Sequence, residues 1–281
     1  MKLALGTVQF GLDYGVTNHD GQVTIDEVKN ILDYAKGKSI DTLDTASGYG
    51  NSEQVLGEVG VSNYRIITKT TSLKNGIDGV IKGFHQSLDN LNVEQVEGLL
   101  IHNIDDTKDK RFGELFHKLN KLKEEGVIKK IGFSTYTPKQ VNFLLENFDF
   151  DLIQVPFNVF DSRLVEGGQL KALKKKNIEI HARSVFLQGV LLSFDSLSDY
   201  FSTWNEQFEQ YQEMVREKEL SLLEYALNFV LKTQELDKVL VGIDSVNQLT
   251  DIINAFKSDV DLKAFKIDDI NLLNPNLWSH I

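Results

Sequence analysis

Apolar residues fall into two rhythms along this chain. Short apolar runs occupy residues 3–6, 40–43, 65–69, 96–102, 128–134, 151–155, 178–183 and 239–242. Between them, apolar positions recur at i, i+3, i+4 and i+7, the period of a helix with one buried face. Val28, Ile31, Leu32 and Ala35 form one such stripe. Ile77, Val80, Ile81, Phe84 and Leu88 form a second, and Phe112, Leu115, Phe116 and Leu119 a third. Helix starts are marked too. Thr24 with Glu27, Thr137 with Gln140, Ser221 with Glu224 and Ser245 with Gln248 each fit a capping box, and Pro138 suits a first helical turn.

About eight strands alternating with helices predict an α/β protein, a (β/α)₈ or TIM barrel. Three prolines and no Pro/Gly/Ser-rich linker predict one domain spanning 1–281, with 256–281 as a C-terminal tail. An open doubly wound sheet is the rival, but neither G-x-G-x-x-G nor G-x-x-x-x-G-K-[ST] occurs. Residues 205–219 read as an inserted, exposed helix ahead of a regular one at 221–231. Residues 267–281 have no strong period.

Composition narrows the function. Hydrophobic residues at 41% and charged residues at 25% suit an ordinary folded core. A net charge of -11 repels phosphate backbones, so nucleic acid is not an expected partner. No cysteine is present, which removes disulfides, thiolate metal sites and cysteine nucleophiles. No run of about 18 apolar residues occurs, so no membrane span is expected. No targeting segment is visible either, so the expected location is cytoplasmic. His19, His85, His117, His181 and His280 show no metal-ligand spacing, and no metal site is expected. Lys174, Lys175 and Lys176 read as a helix C-terminus that favours cations. Trp204 and Trp278 read as packing residues.

Barrel chemistry sits at the C-terminal ends of the strands. Those ends are Asp44, Lys69, His102, Ser134, Gln154, Arg183 with Ser184, and Gly242, and Tyr49 follows Asp44 by one loop. Singly, Asp44 reads as a helix cap, Lys69 as a solvated cation, His102 as a structural histidine and Tyr49 as a packing ring. Together they make a coherent proton donor. A phenol titrating near 10 is a poor acid at neutral pH. An adjacent ammonium stabilises the phenolate, a buried carboxylate keeps that ammonium charged, and an imidazole can orient a carbonyl oxygen. Carbonyl reduction by hydride fits that set without a metal.

These residues resemble the aldo-keto reductase family. The stretch Asp44-Thr45-Ala46-Ser47-Gly48-Tyr49-Gly50-Asn51-Ser52-Glu53, with Leu56-Gly57, is similar to its D-T-A-x-x-Y-G-x-S-E-x-x-L-G signature. Ile67-Thr68-Lys69 and Leu99-Leu100-Ile101-His102 resemble the strands carrying the family lysine and histidine. Leu122-Lys123-Glu124-Glu125-Gly126 through Ile131-Gly132-Phe133-Ser134, and Gln154 with Asn158 and Arg163, extend the likeness, which runs from Gly6 to about Ala255.

The resemblance implies Tyr49 as general acid, tuned by Lys69 and Asp44, with His102 orienting a small-molecule carbonyl substrate. It implies that Thr7, Ser134 and Gln154 face the nicotinamide end of a dinucleotide. Ser184, Phe186, Leu187, Gln188 and Gly189 would wrap its pyrophosphate. Gly242, Asp244, Ser245, Gln248 and Asp251 would hold its adenosine end. Two departures stand out: Thr135 where the family often has Asn, and Arg183 where an aromatic ring commonly stacks on the nicotinamide. A guanidinium plane can also stack.

The resemblance favours NADP(H). The absence of Lys or Arg between Gly242 and Asn254, with Asp244 placed to repel a 2′-phosphate, favours NAD(H), and both stay open. Val8, Gln9, Phe10 and the 161–168 stretch are expected to line the pocket, and Trp278 is a candidate to reach it. Two other functions fit the same residues: a redox-sensing nicotinamide-binding protein, and a Schiff-base aldolase using Lys69. Neither the physiological substrate nor the oligomeric state is written in the pattern.

Overall fold

The computed structural model describes residues 2–18, 20–195 and 197–278. Two of the histidines considered above, His19 and His280, lie outside them, as does the end of the tail. Within them, eight parallel strands close into a barrel in sequence order. They are β1 Leu3–Gly6, β2 Thr42–Asp44, β3 Arg65–Lys69, β4 Val96–Ile101, β5 Ile128–Ser134, β6 Leu152–Pro156, β7 Glu179–Arg183 and β8 Lys238–Gly242. β8 pairs back onto β1 through Leu3–Val239 to Gly6–Gly242. Each apolar run therefore became a strand, with ends moved by a residue or two.

Helices pack around the barrel through the stripes seen in the sequence. Val28, Ile31, Leu32 and Ala35 are the buried face of the helix Ile25–Gly37. Two of the four capping boxes close fully, at Thr137 and Ser221. At Thr24 and Ser245 only the hydroxyl arm forms. Their Glu27 and Gln248 side chains go elsewhere, with consequences described below. No described helix is long and apolar enough to cross a membrane.

The lumen is packed, not hollow. Ile67, Leu100 and Leu152 are fully buried and form their own apolar cluster, apart from the shell between strands and helices. Each lies two residues before a residue expected at the site: Lys69, His102 and Gln154. Strand alternation thus turns those side chains inward, one layer higher. Below the cluster an ion network spans β3 to β7. Glu97 bonds Arg65 at 2.8 Å and Lys130 at 2.7 Å, Lys130 reaches Glu179 at 2.6 Å, and Glu179 meets His181 at 2.7 Å. Conserving charge balance at this end stabilises the barrel without touching the mouth.

Two expectations are corrected. The helix Asn205–Arg216 is not simply exposed: Phe208, Tyr211 and Val215 are buried. Phe208 stacks on Phe194 at 4.6 Å and Tyr211 meets Phe160 edge-on at 5.0 Å. Its polar outer face concealed an aromatic inner one. The 161–168 stretch does not line the mouth. Arg163 forks onto Asp161 with two bonds of 2.7 Å, and the tail runs alongside, with Phe265 N–H donating to Val159 O and Ile267 N–H to Phe160 O. These bonds hold the loop outward against the tail.

Close strand approach depends on particular glycines. A Cβ at Gly132 in β5 would stand 1.8 Å from the carbonyl oxygen of its β6 partner Leu152. Gly132→Ala should cost about 1–3 kcal/mol through displacement of β6. Urea unfolding measures it, and an unchanged midpoint would show that the two strands can separate freely.

Candidate active site

The C-terminal mouth of the barrel opens into a cavity of about 500 Å³. All four expected catalytic residues line it. So do the expected dinucleotide-binding residues, except Leu187 and Ser245. Leu187 is fully buried under its loop. The Ser245 hydroxyl instead accepts the Gln248 N–H at 3.2 Å, capping its helix.

Lys69 sits at the centre, 2% exposed. Its Nζ donates to Asp44 Oδ1 at 2.5 Å and to Thr45 O at 2.8 Å. The same Nζ stands 4.8 Å from the centre of the Tyr49 ring. Burial works against the charge on Lys69, but the neighbouring Asp44 carboxylate and Tyr49 hydroxyl outweigh it and hold the ammonium above its ordinary value. The other Asp44 oxygen, Oδ2, accepts from Gln154 Nε2 at 2.6 Å, across the lumen from β6. Gln154 therefore has its Oε1 left to receive an amide.

His102 meets Tyr49 edge-on, with ring centres 6.3 Å apart at 86°. Burial, first, and the Lys69 ammonium, second, together lower its pKa to about 4. The imidazole is therefore neutral at pH 7 and can donate one hydrogen bond.

The residues around Tyr49 have local work to do. Ser52 Oγ donates to Thr7 O at 2.8 Å and lies 3.2 Å from Thr45 Oγ1, tying the loop to β1 and β2. Thr68 Oγ1 donates to Glu53 Oε1 at 2.7 Å, tying it to β3. Gly50 has φ 57° and its Cβ would lie 2.1 Å from Gly11 O, so only glycine fits there. The motif is a bracket that aims one ring.

The far end of the cavity is built differently. After β7, Ser184, Leu187, Gln188 and Gly189 all have positive φ, an uncommon run for residues other than glycine. Residues of the β1 loop cross this turn: Val16 N–H donates to Gln188 O at 3.1 Å and Gln188 Nε2 donates to the Tyr14 hydroxyl at 2.8 Å. Beyond it lie two buried acceptor atoms without a partner among the described residues, Gln9 Oε1 and Asp244 Oδ1. One cavity thus carries an acid–base cluster, a turn of left-handed backbone and orphaned acceptors, a set of groups that suits a dinucleotide.

Arg183 also lines this cavity. Its guanidinium lies 4.2 Å from the centre of the Tyr136 ring and donates to Thr135 O at 2.9 Å. Sequence reasoning missed Tyr14, Tyr136, Pro275 and Asn276 as lining residues. Tyr136, two positions past a strand end, carried a usable signal. The tail residues carried none. Of the expected loop residues, Val8 and Gln9 line the cavity, while Phe10 is fully buried beneath it. Trp278 is buried against Phe201 and stays out of the mouth.

A model described as the Aldo/keto reductase family matches residues 2–273. The chain belongs to the aldo/keto reductase family. The coarse activity, oxidoreduction, comes with that membership. Among its relatives, this reductase-family chain is 25% identical over 251 residues to the uncharacterized oxidoreductase YqkF of Bacillus subtilis, covering 80% of this chain and 81% of that one. It is 27% identical over 256 residues to an L-galactose dehydrogenase of Arabidopsis thaliana, covering 84% and 79%. In fold it matches an aldo-keto reductase of Bacillus halodurans with TM-score 0.72 at 20% identity, over 92% of this chain and 87% of that one. A glycerol dehydrogenase of Gluconobacter oxydans matches with TM-score 0.71 at 21% identity, over 92% and 88%.

The depressed His102 pKa has a measurable sign. Between the ordinary value of 6.5 and about 4, the unfolded chain binds a proton at His102 that the folded chain refuses. Stability from this group is therefore full above 6.5 and falls as pH drops through that window. An NMR titration of His102 should show no inflection above about pH 5. A midpoint near 6.5 would mean that the imidazole is solvated and free of Lys69.

Proposed function

We propose that this family member is a nicotinamide-dependent carbonyl reductase, acting on an aldehyde or ketone with NADH or NADPH. The observation that carries the reading is the buried Lys69 ammonium, held between the Asp44 carboxylate and the Tyr49 ring at the floor of the cavity. The bound nicotinamide supplies hydride to the carbonyl carbon. The protein supplies the proton and the geometry.

Tyr49 donates its phenolic proton to the carbonyl oxygen and takes it back when an alcohol is oxidised. Lys69 stabilises the phenolate left behind, and Asp44 keeps Lys69 charged in a dry site. Neutral His102 donates a hydrogen bond to the same oxygen and fixes its direction. Ser134 and the free Oε1 of Gln154 are suited to a carboxamide. Arg183 is suited to the nicotinamide face, and the 184–189 turn to the pyrophosphate. Thr7, though expected at the nicotinamide end, spends its hydroxyl on Ser52 at 2.9 Å and acts as a brace.

The Schiff-base alternative needs a neutral amine at Lys69, and the Asp44 pairing opposes that. The redox-sensor alternative is separated from the enzyme by turnover. Tyr49→Phe should reduce kcat on a panel of aldehydes about 10²–10⁴-fold while dinucleotide binding persists. Steady-state kinetics beside a binding titration checks both halves. Near wild-type kcat in the variant would remove Tyr49 from its role, and wild-type protein that binds the dinucleotide without turning over any aldehyde would favour the sensor.

A further inference from the structure

We propose that this chain selects a dinucleotide with a free ribose 2′-hydroxyl, NAD(H), and that Glu27, from a helix distant in sequence, shares that selection with Asp244. The inference rests on the dinucleotide reading above and deepens it. With the nicotinamide at Tyr49, the adenosine ribose falls at the opposite end of the cavity, beside Asp244, Gln248 and Asp251.

A 2′-phosphate needs donors or cations there. The helix Val246–Asn254 begins at this point, and the free N–H groups of a helix start are ready anion donors. In this chain two of them, those of Val246 and Gln248, are already engaged. Val246 N–H donates to Glu27 Oε1 at 2.9 Å, and Gln248 N–H donates to Ser245 Oγ at 3.2 Å. Ahead of the helix, Asp244 N–H donates to Gln248 Oε1 at 2.9 Å. The positive end of the helix dipole thus already has its carboxylate, contributed by Glu27.

Charge points the same way. Among the described residues lining the cavity, the cations are Lys69 and Arg183, both at the nicotinamide end, while Asp244 and Asp251 face the adenosine end. The atoms left unpaired at that end, Asp244 Oδ1 and Gln9 Oε1, are acceptors. An acceptor is satisfied by a hydroxyl and repelled by a phosphate dianion.

Asp244 is visible in the sequence. Glu27 is not, because its spacing from Thr24 assigns it to a capping box. Only the fold carries its carboxylate across to the start of a helix 219 positions away.

The test is a set of dissociation constants for NADH and NADPH with wild type, Glu27→Gln and Asp244→Asn, at fixed ionic strength. Glutamine keeps an oxygen for the Val246 N–H and removes only the charge. Wild type should prefer NADH by about tenfold or more. Each variant should tighten NADPH by about five- to tenfold; Glu27→Gln should change NADH by less than about twofold, whereas Asp244→Asn, which weakens the acceptor for the 2′-hydroxyl, should weaken NADH. Raising salt should narrow the wild-type gap, a measurement that needs no variant. Wild type that prefers NADPH, a gap indifferent to salt, or a Glu27→Gln variant that shifts both dinucleotides equally would overturn the inference. Failure to bind either dinucleotide would remove the proposed function and this inference together, whereas equal binding of both removes the inference alone.

Discussion

A charged amine buried in a protein interior is the constraint on which this structure turns. Stripping an ammonium of water costs several kcal/mol, and an unpaired one would destabilise the fold by about 3–5 kcal/mol. Lys69 is tolerated because Asp44 and the Thr45 carbonyl meet it at hydrogen-bond distance. Those partners exist only if β2 and β3 pair in the observed register, Asp44 opposite Ile67. Asp44 in turn is held by Gln154 from β6, on the other side of the lumen. The acid–base cluster therefore depends on the closed barrel, which brings its members together from β2, β3 and β6.

That arrangement divides the molecule vertically. At the bottom, alternating charges pair and satisfy one another, and the middle is a small apolar plug. At the top, the charges are paired only in part, so that Tyr49 and His102 keep functional groups for a ligand. Burial has opposite consequences for neighbouring groups here. It leaves Lys69 charged because a carboxylate is in contact, and it leaves His102 neutral, with the Lys69 ammonium adding in the same direction. The Lys69 ammonium thus bears on both protonation states.

Much of this was legible in the residues, for a physical reason. Barrel strands announce themselves by apolar runs, and the reactive side chains must sit at their ends, so Asp44, Lys69, His102, Ser134 and Gln154 could be placed without a structure. What stayed hidden arrives by long-range packing. Glu27 was read as a local cap, yet its partner is Val246. Pro275 and Asn276 reach the mouth because the tail hydrogen-bonds along residues 159–160, a pairing with no periodic signature. The same pairing explains why the 161–168 loop, expected at the pocket, is turned outward. The helix at Asn205–Arg216 looked exposed because its aromatics find partners in Phe160 and Phe194, each from a different loop.

The central claim is that Lys69 is an ammonium throughout the working range, kept so by Asp44. Carbon-13 NMR of a lysine-labelled sample, with Lys69 assigned through a Lys69→Met control, reads the charge at Cε directly. The account predicts no titration of Lys69 up to its ordinary value of 10.5. A midpoint about two or more pH units lower would contradict it, since burial would then have defeated the Asp44 pairing and left Tyr49 without its charged neighbour.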